Sequence, residues 1–184
     1  MPLKVVLEDL HDNKKRIIYK NIEPGILNKR ISVVFDAIDV DVPATKSLLI
    51  NNICNAYSLR AIKQEIDTSV WTVSIADHAK LKSFATVMTN KNEGYANGRG
   101  GGWSREDKTF TYVGYSLAEF IQILEKECNV ICEYEKEDKD TMNYDFIEVD
   151  ATDFESIRKE LTGKYGLKFT LLRKKLTFLV VEKI

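Results

Sequence analysis

The chain has 184 residues, 44% of them hydrophobic and 30% charged, enough for one domain or two small ones with a real core. Lys and Arg total 27 against 28 Asp and Glu, a net charge of −1, so the basic excess that marks nucleic-acid binding is missing. Apolar runs such as "LTFLVVE" are too short to span a bilayer, so membrane insertion by this chain is not expected.

"KVVLEDL" and "RIIYKNI" flank "HDNKK" and read as two short strands of an amino-terminal hairpin or arm, residues 1–30. No apolar stretch of signal-peptide length precedes them. Because the chain enters an apolar run almost at once, the reading allows Met1 to follow a removed signal or upstream domain.

"EPGILNK" is a breaker and "ISVVFDAIDVDV" a strand. "ATKSLLINNICNAY" is a helix with Leu49, Ile53 and Tyr57 at four-residue steps. "LRAIKQEI" and "VWTVSIAD" are extended, and "HAKLKSFATVMTNK" favours neither helix nor strand. Residues 31–90 therefore form a first β-α-β half. The segment "TNKNEGYANGRGGGWSRED" is rich in Gly and Asn without apolar period, and residues 91–108 are expected to be a loop joining two halves.

Residues 109–184 read as β-α-β-β-α-β-β. The strand "FTYVGY" leads to the helix "SLAEFIQILEKEC" and the strand "NVICEYEK". "YDFIEVD" leads to the helix "ATDFESIRKELTGKY", and "LKFTLLRKK" and "LTFLVVEKI" close as a hairpin. Ser116 and Asp153 are the expected N-caps. The fold class is α+β: two β-α-β-type halves with mixed or antiparallel sheets and helices packed on one side.

Three helix-to-strand passages share one spacing. They run Leu49, Ile53, Tyr57, Leu59; then Phe120, Leu124, Cys128, Val130, Cys132; then Ile157, Leu161, Tyr165, Leu167, Phe169. Steps of four hold one helix face and steps of two hold one strand face. Cys128 and Cys132 fall where the third passage has Tyr165 and Phe169, so they read as packing. With Cys54 they make an odd, sparse set that is neither a disulfide framework nor a zinc site, and no metal or cofactor is expected.

"GYANGRGGGW" lacks the Lys-Ser/Thr that ends a phosphate-binding P-loop and the strand and helix that frame a dinucleotide fingerprint. "EYEKEDKDTMNYD" lacks the central Gly of a calcium loop and reads as a solvated turn. Trp71 alternates with Val73 and Ile75 as a core residue. Trp103, with Tyr95 and Arg99 in the same loop, is the candidate contact with a partner. No Gly-x-Ser-x-Gly elbow accompanies His78 and Asp77.

Residues 143–184 resemble the carboxy-terminal part of the domain-of-unknown-function 3738 family. The matching features are the strand Tyr144, Asp145, Phe146, the strand Gly166, Leu167, Lys168, Phe169, and the closing Leu179, Val180, Val181, Glu182. Upstream, "LLINNICNAYSL" and "VWTVSIADHAKL" are similar to that family's first half, which extends the resemblance over residues 33–184. The chain departs from it in a shortened middle without a Gly-Pro-Lys stretch. Its second half is also similar to the short amino-terminal domain of secretins and TonB-dependent receptors. Both resemblances imply an uncharacterised protein of the Gram-negative envelope, periplasmic, and neither implies catalysis. The first also implies a type found in Bacteroidetes, whose members can follow a thioredoxin-like domain. The function expected is a binding or accessory module with a protein partner or fused thioredoxin-like domain. The alternatives are a small-ligand binder with a pocket between the halves and an enzyme with a dispersed site of His78, Asp77 and Ser104 near the Gly-rich segment.

Overall fold

The computed structural model describes residues 1–11, 16–33, 42–86, 99–104, 106–135 and 142–184. They form an α+β protein with one mixed and one antiparallel sheet. The chain divides into two units, Met1–Thr68 with Lys174–Ile184, and Ser69–Arg173. This replaces the expected division at the Gly-rich segment. The carboxy-terminal residues return to the amino-terminal unit.

The first unit opens with helix α1 (Leu3–His11), where a strand was expected. Leu3, Val6 and Leu7 are buried at steps of three and four, a helix stripe that outweighs the β-branched Val5–Val6 pair. Strand β1 (Ile17–Lys20) does not close a hairpin. It pairs in parallel with the last strand, β7 (Leu167–Lys183), Ile17 opposite Leu179 and Lys20 opposite Glu182. A short helix α2 (Pro24–Leu27) begins at the expected breaker, with Pro at its first turn. Of the expected strand at residues 31–42, Ile31–Val33 carry no strand and 34–41 lie outside the described residues, and helix α3 (Val42–Ala56) follows.

Helix α3 buries Ile50, Ile53 and Cys54 rather than Leu49 and Tyr57, which are only half-buried, so the first passage keeps its spacing with a rotated stripe. Ser58, at φ 54°, turns the chain into Leu59, the buried first residue of strand β2 (Leu59–Ile75). The core of this unit joins α1, α3, β1, Leu59, Leu179 and Val181.

The two extended segments "LRAIKQEI" and "VWTVSIAD" are one 17-residue strand, β2. The expected closing hairpin is likewise one 17-residue strand, β7. "LLRKKL" holds none of the Gly, Asn, Asp or Pro that a tight turn demands, so nothing breaks it. Both strands run through both units.

The second unit adds helix α4 (His78–Lys82), strand β3 (Gly100–Ser104), strand β4 (Thr109–Ser116), helix α5 (Leu117–Glu127) and strand β5 (Cys132–Tyr134). Strand β6 (Asn143–Asp150) and helix α6 (Phe154–Tyr165) complete it. The passages β4-α5-β5 and β6-α6-β7 match the expected order. Strand order is β1-β7-β2-β5 in the mixed sheet and β3-β4-β6 in the antiparallel one.

Helix α5 starts at a full capping box of Ser116 and Glu119, and α6 starts at Asp153, whose carboxylate accepts from the Ser156 N–H at 2.7 Å. Phe120 of α5 stacks on Phe146 of β6 at 3.7 Å between ring centroids, and both are fully buried. Burial of each such ring stabilises by about 1.5–3 kcal/mol. The Tyr165 hydroxyl accepts from the Ile147 N–H at 2.8 Å, so the largest fully buried side chain also satisfies a backbone group.

The segment Phe84–Thr86 lies along β6, with Thr86 N–H donating to the Asn143 carbonyl at 2.8 Å. Asp145 Oδ1 ties it down, accepting from Thr86 Oγ1 at 2.6 Å and from the Gly114 N–H at 3.0 Å.

Candidate functional site

Trp103 sits not in a loop but on β3, which pairs antiparallel with β4 from Gly100 opposite Val113 to Ser104 opposite Thr109. One of the glycines that read as a flexible linker serves close packing here. Gly101 has φ 149°, and a Cβ on it would lie 2.1 Å from the Thr111 carbonyl oxygen and 2.7 Å from the Tyr112 Cα. Only glycine lets the two backbones approach so closely. Residues 91–98 and 105 of the expected loop, Tyr95 included, lie outside the described residues.

An aromatic row runs along the hairpin. The Trp103 ring is 5.0 Å from Phe110, Phe110 is 5.7 Å from Tyr112, and Tyr112 meets Tyr115 edge-on at 5.5 Å. The Trp103 Nε1 is buried without a well-formed hydrogen bond. Its neighbour is the Tyr112 hydroxyl, whose pKa burial pushes up and the indole N–H draws partly back.

Arg99 closes the row. Its guanidinium lies 4.2 Å from the Tyr115 ring centre, and Nη2 donates to Glu119 Oε1 at 2.8 Å. Glu119 is the same carboxylate that completes the α5 cap, accepting from Ser116 Oγ at 2.7 Å and from the Ser116 N–H at 3.1 Å. The Ser116 hydroxyl first, then Arg99, holds the Glu119 carboxyl below its ordinary range. The Arg99 and Glu119 side chains stay 45% and 42% exposed, so the ion pair adds well under about 1 kcal/mol and its guanidinium remains open to solvent. The cap at Ser116 was read from the sequence, and Glu119 completes it as a box. The partnership of Glu119 with Arg99 was not read there, because it joins residues far apart in the chain.

The chain matches no protein-family model, no curated protein and no solved structure.

The residues of the alternative enzymatic site are each engaged locally. Asp77 Oδ1 caps α4 by accepting from the Lys80 N–H at 2.9 Å, and the exposed His78 begins that helix. Ser104 Oγ donates to Asp107 Oδ2 at 2.7 Å within the β3–β4 turn. Among the described residues no three or more His, Cys, Asp or Glu side chains gather as a metal site. Residues 136–141 of the acidic turn lie outside the described residues.

The cysteines pack. Cys132 is buried in the second core, Cys128 is half-buried against it, and Cys54 is buried in the first. Burial pushes the Cys54 thiol up to about 11, away from the thiolate that reacts. Trp71 also packs on the second core, 5.6 Å from Phe154 with Arg158 over its ring.

Proposed function

We propose that the chain is a non-catalytic binding or accessory module of the bacterial cell envelope. It works in the periplasm, where it contacts a protein partner or positions a fused thioredoxin-like domain. The observation that carries this reading is the hairpin row of Arg99, Tyr115 and Trp103: a solvent-open guanidinium stacked on a tyrosine, joined through Tyr112 and Phe110 to a half-covered tryptophan. Arg, Trp and Tyr dominate the energy of protein interfaces because each joins a large apolar surface to a directed polar group. The envelope location rests on the resemblance of residues 33–184 to the family of unknown function and of the second half to the secretin and TonB short domain.

The test is fractionation and chemical cross-linking of the tagged protein in its own cells, beside the double variant Arg99→Glu, Tyr115→Ala. The wild type is expected in the envelope fraction, joined to a second protein. Tyr115 packs against the second core, so circular dichroism first checks that the variant keeps the fold; it is then expected to lose about tenfold or more of the cross-linked product. Recovery in the cytosolic fraction, or a product that the double variant leaves unchanged, overturns the reading.

A further inference from the structure

We draw no further inference here: the strongest candidate, the outer edge of the glycine-bearing strand β3, offers a surface for pairing with another strand, but nothing in the structure shows what covers it.

Discussion

Gly166 and Gly163 are two glycines with opposite demands. Gly166 ends α6 in the left-handed region at φ 72°, and a Cβ there would meet the Asp77 Cβ at 2.8 Å and the Asp77 carbonyl oxygen at 2.9 Å. Its own carbonyl accepts from the Ala76 and Asp77 N–H groups. Gly166→Ala is expected to cost about 1–3 kcal/mol or more. Gly163 lies inside α6, where an added Cβ meets nothing within 4 Å. Gly163→Ala is expected to stabilise by about 0.4–1 kcal/mol, because it restricts the unfolded chain and suits a helix. Urea midpoints of the two variants check this, and equal effects would contradict it.

One thiol and one phenol carry a pH prediction. The folded-state pKa of Cys54 is raised from 9.0 to about 11, and that of Tyr165 from 10.0 to about 12, both chiefly by burial. In each case the fold favours the protonated form. Their contribution is complete below the unfolded-state values, and it is lost as pH rises from 9.0 through about 11 for Cys54 and from 10.0 through about 12 for Tyr165. Denaturant unfolding is therefore expected to show stability falling above pH 9.0, with Cys54→Ala flattening the first part of the fall. A stability that rises over this range would contradict it. The packing role of Cys132 was legible in the sequence, since the four-four-two-two spacing gave it the place that Phe169 has in the third passage. The role of Gly101 was not, because glycine composition looks the same in a loop and in a close backbone contact.

At the scale of elements, the caps make the sharpest test. Ser116 both accepts from the Glu119 N–H and donates to the Glu119 carboxylate, and its backbone N–H donates there too. Ser116→Ala is expected to cost about 1 kcal/mol, within the usual range for a lost N-cap. Arg99→Ala is expected to cost less, since that pair is half-exposed. Thermal unfolding of the two variants gives the ranking, and an Arg99→Ala loss as large as that of Ser116→Ala would contradict it.

Most elements of the second unit were legible because their helix periods, N-caps and alternating strands agree with one another. The first unit was less so. "KVVLEDL" carries a strand-like Val pair on a helix stripe, and tertiary packing of Leu3 and Leu7 decides the matter. Strand β7 was divided in two because its middle is polar. There "RKK" marks the passage between units rather than a turn, since the unit boundary falls between Arg173 and Lys174.

For the whole molecule, the returning end of β7 makes the first unit depend on the last residues of the chain. Leu179 and Val181 belong to its core, β1 pairs with Leu179–Glu182, and Arg60 is bound to Glu182 at 2.8 Å. The core of the second unit draws only on residues 71–169. Removal of residues 174–184 is expected to unfold the first unit and to spare the second. The methyl NMR signals of Ile53 and Leu59 would collapse to unfolded positions while those of Leu124 and Leu161 persist. Retention of both sets would contradict the division into units.

The contact surface proposed for the molecule is the Arg99–Trp103–Tyr115 hairpin. An aromatic photo-reactive side chain placed at Tyr115, where it keeps a ring under the Arg99 guanidinium, tests that directly in living cells, with the unobstructed Gly163 of α6 as control. A discrete cross-linked product from position 115 and none from position 163 is the result predicted. Silence at position 115, or the same product from both positions, would contradict it.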